Sequence, residues 1–232
     1  MRKISWMMPS VMISSLLLAG WSGLHLVADL WVNPARNLIK RLNDPSQSKN
    51  MKEIDPIWSD ALSSLLSARL LVPGNAEYHM WNGWLHHRRA ESLPYGSDAT
   101  KGHLREAETA YSEALELRPS WGLLWVNRAQ IRIRQGKKNE GAMADLQHAI
   151  SFDPHNPHVL KQTLRLGFRL WPGMNAEDRR KFLLLVKENF HLMPHSTIDL
   201  AMRYGLLAQI RPFYAADPNF KALWDKKLGA GR

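Results

Sequence analysis

Cysteine is absent from this chain, which excludes disulfides and thiolate metal sites. Acidic residues are scarce: Asp and Glu number 21 against 31 Lys and Arg, a formal net charge of +10. That surplus suits an anionic surface or polymer. No long basic run accompanies it, so scattered surface cations are the plainer reading and no nucleic-acid partner is expected. No alternating apolar–polar stretch is long enough for a strand, which excludes a β fold. Catalytic signatures are missing too. There is no Gly-x4-Gly-Lys-(Ser/Thr), Gly-x-Gly-x-x-Gly, Gly-x-Ser-x-Gly or His-Glu-x-x-His. The segment from Gly96 to Gly102 is loop-like but lacks the spacing that cradles phosphate. The expectation is a protein that is not an enzyme and needs no cofactor.

What the chain does contain is a repeated pattern, Ala-x3-(Leu/Tyr)-x2-Ala-x4-Pro. Its copies are Ala61/Leu65/Ala68/Pro73, Ala107/Tyr111/Ala114/Pro119 and Ala142/Leu146/Ala149/Pro154. Offsets of four and three place the first three residues on one face of a helix. Alanines let a neighbouring helix approach, the large middle residue fills the space between them, and the proline stops the helix and pre-sets the next one. Constant internal spacing with varying gaps between copies predicts stacked helical hairpins. A fainter fourth copy stands at Phe182, Val186, Asn189 and Pro194, without the alanines.

Near the amino terminus, Met7 to Leu24 carries no charge. At 1.5 Å per residue it covers roughly 27 Å, close to the hydrocarbon thickness of a bilayer. Arg2 and Lys3 precede it, and Trp6, Trp21 and Trp31 bracket it, where indoles favour the lipid interface. Two readings compete: an uncleaved signal anchor, and a signal peptide removed after Ala19, Gly20 or Ala28; a third, a buried amphipathic helix of a soluble protein, is weaker because no polar face appears. The length, and the lack of a clean Ala-x-Ala site, favour the anchor. The absence of cysteine fits either side of a bacterial membrane. Arg36, Lys40 and Arg41 nearly balance the positive-inside comparison; a short basic tail before a first apolar segment favours export of the carboxyl side to the periplasm.

Residues 1–32 are thus read as the anchor, 33–55 as a polar linker and 56–232 as a helical domain. The linker begins as a continuation of the anchor helix. Helices are expected over Pro56–Leu71, Asn75–Glu91, Lys101–Leu117, Ser120–Gln135, Gly141–Phe152, Pro157–Trp171, Ala176–Leu192, Thr197–Ile210 and Asn219–Leu228. A loop spans Leu93–Gly102, and a tight turn spans Gly136–Glu140.

Trp125 with Ala129, and less well His79 with Gly83, match the large-then-small pair of the first helix of a tetratricopeptide repeat. Ala129 precedes Ala142 by thirteen residues, near the usual spacing. Residues from about 56 to 155 therefore resemble degenerate tetratricopeptide repeats, with Arg128 standing where leucine is usual. The fold class implied is all-α, TPR-like helical hairpin repeats (an α-solenoid) with an N-terminal transmembrane helix. A narrower resemblance rests on Pro73-Gly-Asn-Ala-Glu-Tyr78, Arg118-Pro-Ser-Trp121 with Trp125, Asp153-Pro-His-Asn-Pro157, then Gly167, Trp171, Pro194 and Arg203-Tyr-Gly205. It is similar to the VpsP family of membrane-anchored repeat proteins of bacterial exopolysaccharide biosynthesis. His155-Asn156 departs from that family's usual aromatic-acidic pair. The resemblance implies a role in polysaccharide assembly at the inner membrane and supplies no catalytic residues.

Candidate partner-binding residues are Trp84, His87, Asn127, Gln130 and Arg134. Trp84 follows the small Gly83 and could face a groove, whereas Trp125 falls in core phase. Tryptophans 58, 81, 84, 121, 125 and 171 could stack on sugar rings, though interhelical packing is the plainer reading for each. Asn127 sits where some repeat proteins grip a peptide carboxylate, but Met80 and Trp84 stand where that clamp's other residues belong. Arg128, Arg132 and Arg134, then Arg165 and Arg169, then Arg179, Arg180 and Lys181 form cationic groups that could hold an acidic polymer, or be a solvated face. No metal site is expected: His86 and His87 point about 100° apart on a helix, His155 and His158 flank Pro157, and Pro194 breaks the helix between His191 and His195.

The reading is a non-catalytic, membrane-anchored scaffold or adaptor for exopolysaccharide biosynthesis or export. Its partners would be proteins of a polysaccharide assembly complex and the inner membrane. The alternatives are an acidic-polysaccharide-binding module and an assembly chaperone for another envelope system, such as cytochrome maturation.

Overall fold

The computed structural model describes residues 7–43, 51–136, 139–216 and 218–229. All eleven elements longer than a single turn are α-helices, and no strand occurs among the described residues. The chain divides into two compact units, 1–117 and 118–232.

The first unit holds α1 (Met7–Asn43), α2 (Met51–Leu71), α3 (Ala76–Ser92) and α4 (Asp98–Leu117). The helix expected from Pro56 starts at Met51, and the apolar amino-terminal helix runs on to Asn43. At 37 residues α1 is roughly 55 Å long. Its two halves behave differently. Ile13, Leu16, Leu17, Leu18, Trp21, Leu26 and Leu30 are exposed, whereas Ala28, Val32, Ala35, Leu38 and Ile39 are buried. Those five join Ala61, Leu65, Ala68 and Val72 of the α2 region, with Tyr78 and Leu85 of α3, in one apolar core. The second half of α1 is therefore the first helix of a hairpin, with α2 as its mate. In the next hairpin, α3 and α4, Gly83 lies so close to Tyr111 that an added Cβ would stand 2.7 Å from its ring. The small residue on one helix makes room for the bulky one on the other.

The second unit holds α5 (Gly122–Arg134), α6 (Asn139–Phe152), α7 (Pro157–Leu170), α8 (Ala176–Asn189), α9 (Pro194–Arg203), α10 (Leu207–Ala215) and α11 (Pro218–Gly229). Its core runs from Val126 and Ala129 through Leu146, Leu164 and Phe168 to Ile198 and Tyr214. Size complementarity recurs between α7 and α8: a Cβ on Gly167 would fall 2.1 Å from the Phe182 ring. In the faint fourth copy the bulky side chain thus occupies the first position, and the facing residue is again a glycine.

All nine seam residues of the three copies, the alanines with Leu65, Tyr111 and Leu146, are at most 1% exposed. Each copy's proline follows the last residue of its helix by two, at Pro73, Pro119 and Pro154. The turns share one hydrogen bond: Asn75 N–H to Val72 O, Trp121 N–H to Arg118 O, and Asn156 N–H to Asp153 O, at 3.2, 3.3 and 3.4 Å. Asn75 and Asn156 cap the following helices with their side chains, accepting from Glu77 N–H and from His158 and Val159 N–H.

Four further boundaries differ from the sequence expectation. Helix α4 starts at Asp98, because the Ser97 and Thr100 hydroxyls close the turn against Pro94 O. Helix α6 starts at Asn139, within the expected turn. The expected Ala176–Leu192 helix tightens to a 3₁₀ turn at Phe190–Leu192. The expected Thr197–Ile210 helix is two helices. Gly205, at φ +69°, terminates α9, and Leu206 N–H bonds back to Ala201 O at 2.8 Å, the pattern of a Schellman stop.

Candidate functional site

In the first unit the candidate residues lie on α3, which carries most of the unit's buried polar groups: His79, Asn82, His86 and His87. Trp84 is half-buried, with the Arg88 guanidinium 5.8 Å from its ring centre. Arg88 also donates to Glu91. His87 corrects an expectation. It is only 7% exposed and its Nε2 lies 3.6 Å from the Glu91 carboxylate. The ring offers almost no area of its own to a partner.

The same helix contributes to a cluster that spacing could not reveal. His86 Nδ1 and His103 Nδ1 are 3.0 Å apart, one imidazole donating to the other. Trp58 meets both rings edge-on and donates its indole N–H to Leu85 O at 3.2 Å. Arg89 lies over Trp58 and pairs with Asp55. Burial, the His103 ring and then Arg69 push His86 down to about 4 from an ordinary 6.5. His103 is also lowered, by burial and then Arg89. Both imidazoles are neutral at physiological pH. A second lock joins three helices: Arg69 donates to Glu113 at 2.7 Å, and His79 bridges Glu113 and Pro73 O at 2.9 Å each.

In the second unit Asn127, Gln130 and Arg134 share one face of α5 by their offsets of three and seven, and all three are half-buried. Asn127 and Gln130 have no side-chain hydrogen bond among the described residues. Arg128 and Arg132 point elsewhere, which corrects their grouping with Arg134 as a cationic face. Arg128 reaches the two oxygens of Asp145 at 2.7 and 3.2 Å, and Arg132 reaches one at 3.0 Å. Asp145 is 1% exposed, and burial raises its pKa against the pull of both arginines. The same Arg128 guanidinium lies 4.6 Å from the Trp125 ring centre, and Trp125 packs on His148 and Phe152. This accounts for an arginine where leucine is usual: it covers the tryptophan as a leucine would and also neutralises a buried acid.

Elsewhere in this unit, Lys161, Gln162 and Arg165 of α7 face Ser196, Asp199 and Arg203 of α9 across a cleft of about 350 Å³. Asp199 is already paired with Lys227. Arg179 lies over Trp171, so Trp171 is a cation-covered packing residue. No group of three or more metal-ligating side chains occurs among the described residues.

No protein-family model matches the chain, and no curated protein matches it. Among solved structures it is similar to TTC0263, a thermophilic TPR protein of Thermus thermophilus. The TM-score is 0.48 and the identity 15%, over 83% of this chain and 93% of that one. Within this chain, the fold rests on its own geometry. Paired helices meet through small-against-bulky seams, joined by turns with a shared hydrogen bond. That is the construction of tetratricopeptide-like hairpins, a fold suited to holding other proteins. Helix α1 is also long and apolar enough to cross a membrane.

Proposed function

We propose that this chain is a non-catalytic, membrane-tethered scaffold that gathers proteins of an exopolysaccharide assembly or export system. In this reading it sits in the bacterial inner membrane with its repeats in the periplasm. The observation that carries the tether is the division of α1: exposed and apolar from Ile13 to Val27, and built into the first hairpin from Ala28. A tether that is also a seam helix cannot be removed without unmaking the first repeat. The partner-facing residues are Trp84 with Arg88 on α3, and Asn127, Gln130 and Arg134 on α5. Support for the polysaccharide role comes from the turn and tryptophan motifs shared with VpsP-like proteins. Affinity purification of the full chain from membranes tests the proposal. Polysaccharide-synthesis proteins should be recovered with the wild-type chain and lost with Asn127→Ala/Gln130→Ala/Arg134→Glu. Recovery of none, together with unchanged polymer in a deletion strain, would overturn it.

The α7–α9 cleft favours a second reading, direct binding of an acidic polysaccharide. Lys161, Arg165 and Arg203 line it without an ion pair among the described residues, and its one acid is already neutralised. Salt-sensitive retention on immobilised oligouronate, abolished by Arg165→Ala/Arg203→Ala and absent on a neutral oligosaccharide, would support it. Equal retention of that double variant would remove it.

A further inference from the structure

We infer that the α2–α3 corner of the first unit, Leu66 and Leu70 with residues 71–74, is a lipid-contacting seat that holds the repeats against the bilayer. The inference rests on the reading of α1 as the anchor and adds a surface to it.

Helices α1 and α2 form an antiparallel hairpin, so the end of α2 returns toward the apolar half of α1. It returns far enough to overlap that half. Trp21, Leu24 and His25 of α1 and residues 71–74 together line an apolar cleft of about 320 Å³. Trp21 precedes the buried half of α1, which begins at Ala28, by seven residues, or roughly 10 Å. If the uncharged segment Met7–Leu24 fills the hydrocarbon, Trp21 to His25 lie at its edge, where indole and imidazole rings belong. The corner of the hairpin is therefore held at headgroup depth by the fold itself.

Its composition fits that depth. From Leu70 to Ala76 there is no charged residue. Leu70 is 85% exposed and Leu66 42%, an apolar pair one turn apart on the free side of α2. An isolated exposed leucine means nothing, but these two lead into residues 71–74, which line the apolar cleft with Trp21 and Leu24 of α1. The nearby polar groups are engaged with partners. Arg69 and His79 are occupied by Glu113, and Asp29, the first acid of α1, accepts from Tyr78 Oη at 2.9 Å and from Arg36 at 3.3 Å. An uncharged corner studded with leucine, with Arg69 and Asp29 beside it already paired, next to the anchor helix, matches the acyl–headgroup boundary.

The absence of native cysteine makes a direct test available. An environment-sensitive fluorophore is placed at Leu70→Cys or Gly74→Cys in the full chain, reconstituted in vesicles of anionic and zwitterionic phospholipid. A Cβ at Gly74 meets nothing within 4 Å, so that variant folds independently of any role for Leu70. Leu17→Cys reports the span, and Tyr95→Cys, at the opposite end of the α3–α4 hairpin and 83% exposed, reports water. Lipid brominated near the headgroup should quench both corner labels well above the level seen at residue 95, as expected of a residue at interfacial depth. Lipid brominated near the chain ends should quench the label at residue 17 and leave the one at residue 95 untouched. Unquenched corner labels beside a quenched residue-17 label overturn the seat and leave the anchor standing. An unquenched residue-17 label overturns the anchor. Equal quenching at residues 70, 74 and 95 also overturns the seat, because contact would then be unselective.

Discussion

Mild acid should loosen the first unit through its paired imidazoles. His86 is held neutral by burial beside His103, at about 4 in the fold against 6.5 as an ordinary histidine. A depressed value means the unfolded chain takes up the proton first. The stabilising contribution is complete above about 6.5 and is lost as pH falls toward 4. Weighing the two protonation equilibria at pH 5 gives a loss of about 2 kcal/mol from His86 alone. His103, also lowered, adds in the same direction. Replacing His86 with Phe keeps an aromatic edge against Trp58 and removes the titration. The His103 ring left behind is half-exposed and can reach water. The assay is urea unfolding of wild type and H86F in mild detergent at about pH 7 and pH 5, read by hydrogen exchange in α3 peptides. Groups common to both proteins cancel in the comparison. The wild-type protein should lose about 2 kcal/mol more than H86F between the two conditions. Equal losses would refute the reasoning, because His86 would then carry no proton-linked stability.

Three further outcomes are expected. Gly83→Ala should destabilise the first unit by about 1–3 kcal/mol, since its Cβ would sit 2.7 Å from Tyr111, and Gly167→Ala should act likewise against Phe182; thermal or urea unfolding measures both. Asp145→Ala should cost about 3 kcal/mol by leaving Arg128 and Arg132 without their acid, whereas Lys187→Ala on exposed helix surface should change the same urea midpoint by less than about 0.5 kcal/mol. Asn127→Ala/Gln130→Ala should leave stability within about 1 kcal/mol of wild type while weakening partner recovery from membranes, which separates a contact role from a structural one.

Spacing alone specifies the seams. The offsets of four, three and five from alanine to proline force one helix face, one small-bulky-small contact and one stop, whatever the rest of the chain does. All three copies obey this down to a shared turn hydrogen bond. Even the faint fourth copy is readable, because Phe182 keeps the register and only the bulky residue moves from the middle position to the first. The uncharged run Met7–Leu24 likewise suffices to mark a helix long enough for a bilayer.

Contacts between distant positions are not readable. His86 and His103 are seventeen residues apart, and no local rule pairs two imidazoles across the α3–α4 seam. Arg128 resembles a defect in a repeat and a member of a cationic face, because the sequence does not say that Asp145, on the next helix, is buried beneath it. The second role of α1 is hidden for a similar reason. Its apolar period runs from an exposed half into a protein-facing half, and hydrophobicity cannot name the surroundings that satisfy it. Helical period and turn chemistry are properties of neighbours along the chain, so the sequence determines them. Which buried polar group meets which, and which apolar face meets protein, follow from packing between helices, and only the tertiary structure decides them.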